Sequence, residues 1–142
     1  MCEIIFRGKR VDNGKWVYGD LIHYENGEVA IIQKKFSKFG YEATEIHYRI
    51  KVIPETVGQY TGLTDKNGTK IFEGDIVKVT NCDGIIDCCD CGVGKVIFHL
   101  GMWYIAGDVN NSLYILNKVF YIEVIGNIHD NPAPPEGSKY GC

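Results

Sequence analysis

Four cysteines crowd into one short run, Cys82-Asp83-Gly84-Ile85-Ile86-Asp87-Cys88-Cys89-Asp90-Cys91. Thiolates are soft ligands, and four that reach a tetrahedron hold zinc. Structural zinc sites usually pair two Cys-x2-Cys knuckles, whereas Cys88 and Cys89 are adjacent and project in divergent directions, and Cys91 follows a one-residue gap. Cys82, Cys88, Cys89 and Cys91 are therefore weak metal candidates, and the segment reads as a hairpin loop carrying thiols. A second metal-like run, Asp65-Lys66-Asn67-Gly68, opens as calcium loops do. Its twelfth position is Ile76 instead of a bidentate Glu, and its glycine comes two residues early. The cage does not close, so Asn67-Gly68 reads as a hairpin turn and no cofactor is expected.

Acid–base or nucleophilic catalysis needs a histidine beside a Ser, Cys or carboxylate in space. His23, His47, His99 and His129 are dispersed along the chain. His129-Asp130 is the nearest approach to a base with its orienter, but neighbours on an extended backbone point apart, and a structural turn is the simpler reading. Glu73 and Asp75 share one face of a β segment, at a strand entry where carboxylates more often solvate a turn than share a proton. Gly-rich phosphate loops are absent. No catalytic residue is assigned, and the chain is expected not to be an enzyme.

One cluster mixes cations with rings: Lys34-Lys35-Phe36-Ser37-Lys38-Phe39-Gly40-Tyr41. Lys34, Lys35 and Lys38 could neutralise phosphates while Phe36, Phe39 and Tyr41 stack on bases, as single-strand binders do. Three lysines make a modest patch on a chain of net charge -3. The favoured reading is a long loop whose aromatics pack on a neighbour while its lysines stay wet.

These residues must be held by β-structure. Asn13-Gly14, Asn26-Gly27, Asn67-Gly68 and Asp83-Gly84 each supply the positive φ angles of a tight hairpin turn. Lys15 to Tyr24 and Glu28 to Gln33 form one expected hairpin, and Leu100-Gly101 joins a second between Gly94–His99 and Met102–Ile105. From Thr44 to Val52, Ile46, Tyr48, Ile50 and Val52 alternate with polar residues, the pattern of a half-buried strand. Further strands are read at Ile76–Thr80 and Val119–Ile128. Ser112 to Lys118 could be a short helix or a strand. Ile53-Pro54-Glu55 breaks the pattern and separates an N-terminal lobe, residues 1–55, from a C-terminal lobe, 56–130. The Pro-rich tail 131–142 lacks an apolar period and is expected to be disordered.

With 142 residues the chain can bury a real interior. It shows neither a signal-peptide pattern nor an apolar run long enough to cross a bilayer, so a cytoplasmic protein with reduced cysteines and no membrane contact is expected.

The run Val57-Gly-Gln-Tyr-Thr-Gly-Leu-Thr-Asp-Lys-Asn-Gly-Thr-Lys-Ile-Phe-Glu-Gly-Asp-Ile-Val77 resembles the signature of the YopX family, small proteins of phages and prophages. Phe6-Arg7-Gly8-Lys9, Gly14-Lys15-Trp16-Val17-Tyr18-Gly19-Asp20-Leu21 and Val124-Ile125-Gly126-Asn127-Ile128-His129-Asp130-Asn131-Pro132 match further family blocks in order. The pattern departs between Thr80 and Val93, across the cysteine run. The resemblance implies no reaction, because no biochemical activity is established for that family. It does imply two small intertwined β lobes, the C-terminal one an SH3-like roll or barrel. Short β lobes with open edges commonly pair with copies of themselves. A mainly β, non-catalytic, homo-oligomeric protein-interaction module is thus expected, meeting an unidentified phage or host protein. A nucleic-acid-binding accessory of the phage is the alternative.

Overall fold

The computed structural model describes residues 3–81, 90–107, 113–115 and 121–130. Its strands are β1 (Phe6–Lys9), β2 (Trp16–His23), β3 (Val29–Phe39), β4 (Glu42–Val52), β5 (Gly58–Thr64), β6 (Lys70–Phe72), β7 (Asp75–Asn81), β8 (Asp90–His99), β9 (Met102–Gly107), β10 (Leu113–Ile115) and β11 (Tyr121–Asn127). A 3-10 turn at Pro54–Thr56 is the only helical element among the described residues. The chain is mainly β, as its turn chemistry implies. Asn13 Oδ1 accepts from Lys15 N at 2.9 Å, and Asn26 Oδ1 accepts from Glu28 N at 3.0 Å. In each case the Asn side chain bonds the backbone two residues on, which sets the turn that starts the next strand. Leu100 and Gly101, with φ of 50° and 78°, form the hairpin turn between β8 and β9. Asp83-Gly84 and the tail 131–142 lie outside the described residues. Of the span Ser112–Lys118, the described part is the strand β10, which pairs with β9 from Tyr104 to Ala106.

The chain forms two compact units, Met1–Tyr60 and Thr61–Cys142. Past Pro54 the chain still belongs to the first unit, because Gly58 and Gln59 pair with Arg7 and Phe6 and Tyr60 N donates to Ile5 O at 2.8 Å. In this unit the hydrogen-bonded order is β4-β3-β2-β1-β5. Its meander also closes on itself. Arg10 bridges Val52, Val11 N donates to Lys51 O at 3.1 Å, and Ile53 N donates to Lys9 O at 2.8 Å. Val17, Val29, Ile31 and Val52 are buried inside, with Phe6, Leu21, Ile50 and Val57 packed against them. Each fully buried side chain of this kind contributes about 1.5–3 kcal/mol by leaving water.

The second unit holds a five-stranded antiparallel sheet in the order β10-β9-β8-β7-β11. Its core is Ile71, Val77, Val96, Ile105 and Ile122, flanked by Leu63, Val79, Trp103 and Val124. The register of β11 against β7 shifts between Val124 and Gly126, so Ile125 bulges out of the ladder. No helix among the described residues is long and apolar enough to cross a membrane.

Candidate functional site

Strand β3 pairs with β2 only from Val29 to Ile32, yet with β4 along its whole length to Phe39↔Glu42. The seven pairs from Gln33↔Tyr48 outward therefore form a two-stranded ribbon with no third strand among the described residues, roughly 20 Å long at about 3.4 Å per residue. The basic and aromatic cluster sits on this ribbon. It is a strand and a turn, where the sequence suggests a long loop. Side chains on paired strands alternate between faces, so Lys34, Phe36 and Lys38 share one face with His47, Glu45 and Ala43, and Lys35 shares the other with Ile46. The residues read as one stacking platform are thus divided between two faces. Phe39 ends β3, and Tyr41 lies fully exposed at the tip.

The ribbon carries more apolar surface than its sequence pattern suggests. Phe36 is 74% exposed, Tyr48 44% and Ile46 39%. Ile50 and Val52, on the same alternating face as Ile46 and Tyr48, do reach the core. The half-buried strand expected from Thr44 to Val52 is therefore half-buried only at its C-terminal end, because β2 gives no cover beyond Ile32. One charge is matched, Lys34 Nζ lying 3.5 Å from Asp20 Oδ2, and His47 Nε2 lies 3.3 Å from Glu45 Oε2. The Lys35 ammonium sits 5.6 Å above the Tyr48 ring.

Where β3 leaves β2, a groove of about 410 Å³ opens at the ribbon's base. Ile4, Ile5, Tyr18 and Ile32 line it with apolar surface, and Lys34, Lys35 and Asp20 bring charge. Gly19 marks the fork. A Cβ on it would collide with the Ile32 carbonyl oxygen, so only glycine lets the strands approach there before they part. Gln33 Nε2 reaches across to Tyr18 O at 3.5 Å.

The other polar candidates tie backbone together. Asp65 is buried; its Oδ1 accepts from Asn67 N at 2.9 Å and Thr69 N at 2.8 Å, and its Oδ2 from Val124 N at 3.0 Å. Burial pushes its pKa up, but the Val124, Thr69 and Asn67 N–H groups outweigh this and hold it below the ordinary value. Asp75, almost fully buried, accepts from Phe72 N at 2.8 Å. Glu73 has its pKa raised by burial. His129 and Asp130 stand in a turn: Asn127 Oδ1 accepts from both of their backbone N–H groups, and Asn127 Nδ2 donates to Asp130 Oδ2 at 2.9 Å. Sequence reasoning found the Asp65 turn but not the Val124 contact, which spans 59 residues and leaves no local signal. Among the described residues no three His, Cys, Asp or Glu gather as a metal set. Cys82, Cys88 and Cys89 lie outside the described residues, and Cys91 is described only as a backbone position of β8.

The model of the YopX protein family matches residues 5–133. The chain belongs to the YopX family. Its fold is similar to that of protein EF1440 from Enterococcus faecalis, known from a crystal structure, with a TM-score of 0.59 at 18% identity over 93% of this chain and 97% of that one. No curated protein matches it. The blocks that mark this YopX-family chain fall on scaffold. Phe6-Arg7-Gly8-Lys9 pairs with Trp16-Val17-Tyr18-Gly19 on one side and begins to pair with Gly58-Gln59 on the other. Ile128 N donates to Gly74 O at 2.9 Å, joining the last block to Glu73-Gly74-Asp75, and the φ of 87° at Gly74 explains the glycine there.

Proposed function

We propose that this YopX-family chain is a cytoplasmic, non-catalytic interaction module that assembles with copies of itself through the β3–β4 ribbon. The observation that carries the reading is the ribbon's exposure: seven residue pairs without a third strand among the described residues, bearing Phe36, Tyr41, Ile46 and Tyr48 in the open. A two-stranded ribbon is marginal in water, and covering its apolar surface gains about 25 cal/mol per Å². A second copy fits because the ribbon carries both signs of charge, Lys34, Lys35 and Lys38 against Glu45, so two ribbons related by a twofold axis can match cation to carboxylate. The non-catalytic part is supported by the work already done by the buried acids, which bind backbone N–H groups. The SH3-like roll that the family implies for the second unit is kept in this reading, supported by its short antiparallel strands and the bulge at Ile125.

Light scattering tests it. The native chain should have the mass of an oligomer, unchanged in moderate salt, and the double substitution Phe36→Ser with Ile46→Ser should reduce it to a monomer that still folds. A native monomer at tens of micromolar would overturn the proposal. A second reading, a nucleic-acid-binding accessory, is favoured by Lys38 on the ribbon and Arg49 at its base, cations with no carboxylate in salt-bridge reach among the described residues. It requires an oligonucleotide affinity that falls steeply with salt and is lost when Lys34, Lys35 and Lys38 are changed to Glu.

A further inference from the structure

The fork between β2 and β3 leaves one backbone edge open. Along an antiparallel strand the N–H and C=O of successive residues point alternately to the two sides. The Ile32 carbonyl faces β2, since it is what a side chain on Gly19 would strike. The same alternation turns the backbone groups of Lys34 and Phe36 toward that side, where, among the described residues, no strand pairs with β3 beyond Ile32. Lys34 lines the groove at the ribbon's base, beside the apolar surface of Ile4, Ile5 and Ile32, and Phe36 continues the same edge just beyond it. Lys34 and Lys35 line it against a single carboxylate, Asp20, which lies 3.5 Å from Lys34 in an exposed pair worth little.

We propose that this groove binds an extended acidic peptide of a partner protein, which adds as a strand to the open edge of β3. Backbone bonds to Lys34 and Phe36 supply the affinity, alternate apolar side chains rest on Ile32 with Ile4 and Ile5, and the carboxylates between them, on the other face, meet Lys35. The occupant is acidic because the lysines outnumber the one carboxylate, and it is a strand because the open groups are backbone donors and acceptors. The peptide site rests on the open edge of β3 and self-association on the side chains of Phe36 and Ile46, with Lys34 and Lys35 common to both, so the two are separated by replacing Phe36 and Ile46.

The probe is a capped heptapeptide of alternating valine and glutamate, with a control in which lysine replaces glutamate. Amide NMR of the Phe36→Ser/Ile46→Ser chain should show saturable shifts at Lys34 and at position 36 with the acidic peptide, at a Kd below about 1 mM, and at least tenfold weaker binding of the control. Lys34→Pro removes the edge donor without touching the β4 ladder and should weaken binding about tenfold. Since that variant could disturb the ribbon, Lys34→Glu with Lys35→Glu provides the second arm: it should reverse the preference in favour of the lysine peptide. Absence of saturation, equal binding of both peptides, or shifts confined to other strands overturns the proposal. Protection of the Lys34 and Phe36 amides that rises with protein concentration alone would overturn it too, by showing a second copy in the groove.

Discussion

The Asp65 carboxylate closes the turn before β6 through Asn67 and Thr69, and it reaches β11 through Val124. Asp65→Asn keeps the size but turns an N–H group toward a backbone donor, and should cost about 1–3 kcal/mol in urea unfolding at neutral pH. The pH dependence has a definite sign. A carboxyl held below its ordinary pKa adds stability that is present in full above the unfolded value, about 4, and is lost as pH falls through the folded value. The gap between native and Asp65→Asn chains should therefore narrow in acid, and a constant gap down to pH 2 would show that the charge plays no part. Glu73 behaves oppositely. Burial raises its pKa, so its favourable share is full below the unfolded value and is lost as pH rises through the folded one. Relative to Glu73→Gln, the native chain should gain stability as pH falls through the glutamate range, and denaturation at pH 7 and pH 4 checks this directly.

At the scale of elements, the ribbon should show its marginal stability once its partner is removed. In the Phe36→Ser/Ile46→Ser chain, amides of β3 beyond Gln33 that bond to β4 should exchange at least about tenfold faster than Ile31, which lies in the core. Equal protection along β3 would mean the ribbon is rigid by itself. Much of this architecture is legible in the sequence, because hairpin turns are local: Asn13-Gly14, Asn26-Gly27 and Leu100-Gly101 each state their geometry within four residues. The ribbon was not. Lys34 to Tyr41 has no clean alternation, and it becomes a strand only by pairing with Glu42 to Tyr48, whose own Ile46 and Tyr48 look destined for a core. That they are exposed depends on where β2 stops, which no pattern within β4 records. The groove is hidden for the same reason, since its walls come from the N-terminal segment and from two strands that part at Gly19.

At the scale of the molecule, two clusters of buried apolar side chains stand out among the described residues, one around Ile31 and one around Val77. Each has its own tryptophan as reporter: Trp16 lies under the Arg7 guanidinium at 4.7 Å in the first unit, and Trp103 meets Phe98 edge-on at 4.9 Å in the second. The effects of distant substitutions with no shared partners add within about 0.5 kcal/mol, and if each core unfolds in a transition of its own, each tryptophan reports only the substitution in its own unit. Ile31→Val removes one methylene from the first core and should lower its stability by about 0.5–1.5 kcal/mol. Val77→Ala removes two methyl groups from the second and should cost about 1.5–3 kcal/mol there. Followed by fluorescence in Trp103→Phe and Trp16→Phe backgrounds, Ile31→Val should move the transition seen by Trp16 and leave that seen by Trp103 within about 0.5 kcal/mol, and Val77→Ala should do the reverse. Coincident shifts at both tryptophans would mean that the two cores unfold as one cooperative body.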